Sequence, residues 1–139
     1  MDSSKAYILD KLRATECVNK FKDAKLNTVI LFGSILTEDF TEYSDVDLAI
    51  LSENNITLQL ILSLEEDLKK LLGRDIDIIN LKDENLDLNM KVTIYDDGLV
   101  IYDSDSLELY NRDYLETETL YRDNEAFRFF RERDVIFSE

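Results

Sequence analysis

The chain has 139 residues, 45% of them apolar and 10% aromatic, enough for one domain with a buried core and too apolar for a disordered chain. It holds no histidine and a single cysteine, which excludes His-based triads, histidine general bases and Cys- or His-ligated zinc. A net charge of −15 repels a phosphate backbone and argues against direct binding to nucleic acid.

The N-terminal stretch "MDSSKAYILDKL" has neither the basic region, the long apolar core nor the small-residue cleavage site of a signal peptide. No apolar run approaches the roughly 20 residues that span a bilayer. Together with the lone Cys17, these features predict a cytoplasmic protein without membrane attachment. A first helix is expected from about Ser4 to Lys25, with Tyr7, Ala14, Val18 and Phe21 as its core stripe. "NTVILF", 27–32, is short, apolar and β-branched, and reads as a buried strand.

Gly33 and Ser34 follow that strand directly. A residue without Cβ lets backbone approach an anion closely, and "ILTEDF" after it is expected to form a short helix whose amides face the same anion. Ser34 adds a hydroxyl donor. A spacer of ten residues, 35–44, then leads to "DVDLAIL", a second strand with Val46, Leu48 and Ile50 on one face and Asp45 and Asp47 on the other. Asp-x-Asp occurs three times in this acidic chain, so the pair alone means little. Two carboxylates side by side after a glycine–serine turn are a different matter, because their repulsion asks for a cation between them. Any such cation would be held by oxygen, which points to magnesium, calcium or manganese.

"TLQLILSLEEDLKKLLG" predicts a helix with Ile61, Leu64, Leu68 and Leu71 inward, lysines at its C-terminal dipole and Gly73 as the cap. "RDIDIINL", 74–81, is a third strand that places Asp75 and Asp77 on one side. In "LDLNMKVTIYDDGLVIYD" the alternation of Leu86, Leu88, Met90, Val92 and Ile94 argues for a strand and a hairpin at Asp97-Gly98, and a helix ending near Gly98 competes with it. Asp105 and Glu108 then resemble a capping box, opening a helical tail with Leu107, Tyr110, Tyr114 and Tyr121 on one stripe. The final "EAFRFFRERDVIFSE" carries Phe127, Phe129, Phe130 and Phe137, a core or helix-packing face unless it is exposed for a partner.

Gly33-Ser34, the ten-residue spacer and Asp45-Val46-Asp47 resemble the signature of the polymerase-β-type nucleotidyltransferase superfamily, and the length is that of its minimal members. "LLGRDIDIINL" is similar to their third-strand segment, which makes Asp77 the third carboxylate, with Asp75 the alternative. "DDGLVIYD" resembles the Gly-apolar-Tyr strand of the MNT-type antitoxins paired with HEPN ribonuclease toxins, and that likeness tips 86–97 toward helix. The resemblance spans about Val29 to Tyr110. It implies an α/β (α+β) nucleotidyltransferase fold over 1–139, a short mixed sheet flanked by helices, with a C-terminal helical segment from about residue 105.

The resemblance further implies that Asp45, Asp47 and Asp77 are both catalytic and metal-binding, that they hold two Mg2+, and that Gly33 and Ser34 bind the substrate ATP. Members of the antitoxin group move AMP from ATP onto a tyrosine of their HEPN toxin, and an acidic chain suits a basic RNA-cutting partner. The alternatives are a non-catalytic antitoxin that masks its partner, or a nucleotidyltransferase acting on a small molecule such as an aminoglycoside. One departure stands out. Minimal members commonly follow Gly-Ser with Ala-Arg-Gly, whereas Ile35-Leu36-Thr37 supplies no arginine to neutralise phosphate.

Overall fold

Thr28–Phe32 (β1) and Val46–Leu51 (β2) are the two central strands of a four-stranded mixed sheet ordered β3-β2-β1-β4. They pair antiparallel, β2 pairs parallel with Ile76–Asn80 (β3), and β1 pairs antiparallel with Leu99–Asp103 (β4). The computed structural model describes the backbone of residues 3–137 and the side chains of residues 4–125. The aromatic tail residues Phe127, Phe129, Phe130 and Phe137 lie outside the described side chains.

The pleat divides the core in two. Val29 and Leu31, Val46, Leu48 and Ile50, and Ile76 and Ile78 face the layer built by Ser3–Arg13 (α1), Thr15–Asp23 (α2) and Leu58–Leu72 (α3). Ile30, Ala49 and Leu51 face Leu88–Asp97 (α4) and Glu108–Phe137 (α5). Apolar side chains on both faces exclude water from the middle strands, and burial at about 25 cal/mol per Å2 holds the layers together. No helix among the described residues is long and apolar enough to cross a membrane.

The single N-terminal helix expected over 4–25 is two helices. Ala14 is extended (φ −74°, ψ 159°) and breaks it. Ile8 and Leu12 are buried on α1, and an unbroken helix would next turn Thr15, Glu16 and Asn19 inward. The break resets the phase so that Cys17 and Phe21 are buried, while Tyr7 is exposed. On α3 the buried residues are Leu64, Leu68 and Leu72, Thr57 caps the start by accepting from the Leu60 amide at 3.1 Å, and Gly73 ends it in the left-handed conformation (φ 72°).

Residues 88–97 are helical. The period-2 alternation loses to a local cap, the Asp87 carboxylate accepting from the Met90 amide at 3.1 Å. Ile94 and Tyr95, neighbours that a strand would send to opposite faces, are both buried. The hairpin at Asp97-Gly98 is therefore a helix-to-strand junction.

The start of α5 also differs from the expected capping box. Asp103 accepts from the Leu107 amide at 2.8 Å and Asp105 from the Leu109 amide at 3.2 Å, while Ser106 and Leu107 take positive φ. The inward stripe of α5 includes Leu109, Tyr110, Tyr114 and two buried polar residues, Asp113 and Thr117. Asp113 is tolerated inside because the Tyr95 hydroxyl donates to it and Lys91 pairs with it at 3.3 Å. Burial first, then the bond and charge of Asp113, push the Tyr95 hydroxyl well above its ordinary pKa, so it stays a donor.

Candidate active site

Strand register builds the site. Phe32, the last residue of β1, lies opposite Asp47 on β2, and Asp47 lies beside Asp77 on β3. Cross-strand partners project to the same face, so the two carboxylates stand together on the α4–α5 side of the sheet, and Asp45, two residues before Asp47, follows the same alternation. The three acids expected from the sequence thus share one face and one end of adjacent strands.

The first backbone turn after β1 closes directly on this group. Gly33 has φ 85°, and a Cβ built on it would stand 2.2 Å from Asp47 Oδ2 and 3.0 Å from its Cγ. Two independent reasons therefore demand glycine: the left-handed backbone and the carboxylate packed against its α-carbon. The helix expected over "ILTEDF" is a single 3₁₀ turn, Gly33–Leu36, closed by the Thr37 amide and hydroxyl, both 2.9 Å from the Ser34 carbonyl. Ser34 is half-buried within that turn. Lys5 on α1 donates to the Thr37 carbonyl at 2.5 Å, so a cation stands at the turn although none follows Ser34 in the sequence.

Burial, then Asp77, then Asp45 raise the pKa of Asp47 above the ordinary carboxylate range. A partly desolvated carboxylate beside two like charges is the condition that a divalent cation relieves. All the donors are carboxylate oxygens, which suit a hard cation such as magnesium. Among the described residues, no three Asp, Glu or Cys side chains are gathered closely enough to form a finished metal cage. Asp75, the alternative third acid, is engaged elsewhere: its carboxylate pairs with Lys69 on α3 at 3.0 Å.

Two contributors escaped the sequence reading. Arg74 donates to the Thr41 carbonyl at 3.1 Å and the Ser44 carbonyl at 2.7 Å, and its guanidinium lies 4.6 Å from the Phe40 ring centroid. It clamps the loop that ends at Asp45 to the segment that opens β3, yet in sequence it looks like one more charge after a helix. The second is α4. A cleft of about 700 Å3 lies beside Gly33, with Phe32, Leu36 and Thr37 on one wall and Asn89, Thr93 and Asp97 among the α4 residues on the other. Reading 86–97 as a strand hides this wall, since a helix brings the adjacent pairs Asn89–Met90 and Thr93–Ile94 to one side, whereas a strand would send the members of each pair to opposite faces.

Residues 15–107 match the family described as "Polymerase beta, Nucleotidyltransferase", which covers the Gly33 turn and all three aspartates. The chain belongs to this nucleotidyltransferase family. None of the curated proteins matches the sequence. Among solved structures, the chain is similar to a toxin–antitoxin complex crystallised with AMP-PNP, at 20% identity over 92% of this chain and 98% of that one, with a TM-score of 0.70. It is also similar to the toxin–antitoxin MntA–HepT, at 20% identity over 91% and 98%, with a TM-score of 0.65. A third similar structure holds a tri-AMPylated Shewanella oneidensis HEPN toxin in complex with MNT antitoxin, at 19% identity over 95% and 98%, with a TM-score of 0.65. At these identities the likeness concerns the fold.

Proposed function

We propose that this nucleotidyltransferase, acting as one domain over 1–139, moves AMP from ATP onto a tyrosine hydroxyl of a partner HEPN ribonuclease toxin and so serves as its antitoxin. The observation that carries the reading is the register of Asp47 with Asp77, with Asp45 on the same face and the Gly33 turn packed against Asp47. Family membership supports nucleotidyl transfer. Support for the acceptor comes from the similar complexes, one of which contains AMP-PNP and another an AMPylated HEPN toxin with its MNT antitoxin.

In this reading the adenine and ribose occupy the cleft between the Gly33 turn and α4, while the Gly33 amide and Ser34 hydroxyl steady the phosphates. Asp45 and Asp47 would hold one Mg2+ and, with Asp77, a second. Bound there, the ions supply charge neutralisation of the triphosphate and acidification of the acceptor hydroxyl. The tyrosine oxygen forms a bond to the α-phosphorus, the bond from that phosphorus to the bridging oxygen breaks, and pyrophosphate leaves with the electron pair. The phenolic proton passes to solvent. No histidine is needed, because the catalytic work is positioning and electrostatics.

A second reading, neutralisation by binding alone, rests on the absence of an arginine at Ile35-Leu36-Thr37. Labelled ATP, magnesium and the product of the adjacent gene, as the candidate HEPN protein, separate the two. Label on a partner tyrosine that disappears with Asp45→Asn and Asp47→Asn together supports transfer. Neutralisation without label, indifferent to that double change, supports binding. Full-rate transfer by Asp77→Asn removes Asp77 from the site.

A further inference from the structure

A second groove, of about 470 Å3, runs along the outer edge of β3 beneath α3. Leu58 and Leu62, one helical turn apart on α3, stand 70% and 56% exposed on its wall. Met90, at the head of α4, lines both this groove and the Gly33 cleft, as does Asp87. The two depressions therefore adjoin, and Ile78 and Ile79, next after Asp77, lie in the lining of the second.

Large apolar side chains this exposed form a surface suited to cover by another molecule. The charges of the lining have one sign: Glu65, Asp83 and Asp87, with neither lysine nor arginine among them. The groove between α4 and α5, by contrast, mixes Lys82 and Lys91 with its acids. Glu65 also accepts from the Ile78 amide at 2.8 Å, so that amide is already engaged and an added strand cannot pair through it. An occupant is selected by its side chains, apolar ones against the leucines and cationic ones against the acids.

We propose that this groove is where the acceptor protein docks, through a segment of apolar side chains flanked by lysine or arginine. The inference rests on the protein-acceptor reading above and adds the side from which the acceptor arrives: along β3, past Asp77, opposite the Gly33 wall of the nucleotide cleft.

The test combines the full chain, magnesium, labelled ATP and the product of the adjacent gene, as the candidate HEPN protein. Leu58→Glu with Leu62→Glu changes only exposed positions. It should raise KM for the HEPN protein at least about tenfold while kcat and the KM for ATP stay close to wild type. Leu115→Glu with Leu120→Glu, on exposed positions of α5, should leave all three unchanged. An unaltered KM in the α3 variant, or an equal loss in the α5 variant, overturns the proposal. If the wild-type chain labels nothing, the transfer reading falls and docking is judged by affinity for the HEPN protein alone. Weakened binding by the α3 variant then retains the groove as the docking surface, and unchanged binding overturns it. Absence of binding by the wild type overturns both.

Discussion

Gly33 and Asp47 are the pair on which single side chains have the largest expected effect. Gly33→Ala must place a methyl group within the space of the Asp47 carboxylate while holding a positive φ. It should cut labelled-nucleotide transfer by about a hundredfold, because a displacement of the carboxylate near 1 Å is enough for that loss. Circular dichroism would separate this from unfolding, and unchanged transfer would refute the packing argument. Asp47 makes a second expectation. Its pKa is raised in the fold, so between the ordinary carboxylate value near 3.9 and the higher folded value the native state binds more protons than the unfolded chain. Stability attributable to this group therefore falls as pH rises through that window. In chelator, Asp47→Asn should melt higher than wild type at neutral pH, and the gap should close in acid as Asp47 takes up its proton. A lower melting temperature for the variant at neutral pH would contradict the crowding of the acids.

At the scale of elements, the junction of α3, β3 and the loop 37–45 matters most, because Arg74 connects them. One terminal nitrogen reaches both carbonyls while the guanidinium lies over Phe40, and a lysine ammonium keeps the charge and the donors but not the planar group against the ring. Arg74→Ala should lower kcat about tenfold with little change in the KM for ATP, since what it loosens is the position of Asp45. Arg74→Lys should recover part of that loss. A rise in KM alone would mean that Arg74 acts on the nucleotide. The elements differ in how plainly the sequence spelled them out. β1, β2 and β3 were legible because buried strands are short apolar runs, and the alternation of Val46, Asp47 and Leu48 places the acids on one face unaided. The break at Ala14 was not, because neither glycine nor proline marks it and the cause is the phase of the core against the sheet. The helix over 88–97 was readable only through likeness to a family, since its alternating pattern is an accident overruled by the Asp87 cap. The loop clamp by Arg74 was invisible for a tertiary reason: its carbonyl partners are some 30 residues away.

For the whole molecule, charge is the dominant property. A chain at −15 surrounds the proposed nucleotide site with a field that opposes ATP and attracts cations. Two opposite salt effects are expected. Association with a basic HEPN partner should slow as salt rises from about 0.05 M to 0.5 M, as the Debye length falls below about 10 Å. Affinity for ATP without magnesium should improve over the same range. Stopped-flow mixing and equilibrium nucleotide binding measure the two, and an association rate indifferent to salt would remove electrostatic steering from the account.

The contact of the Gly33 α-carbon with the Asp47 carboxylate leaves these two positions no intermediate variants: any larger residue at 33 collides before it can be useful. The facing wall is free in the opposite sense, because Asn89, Thr93 and Asp97 are exposed and exchange cheaply. If the cleft takes the base as proposed, mutational drift, or a designer wanting another base there, is thereby steered to one helix, and nucleotide choice can wander while the proposed phosphate end stands still.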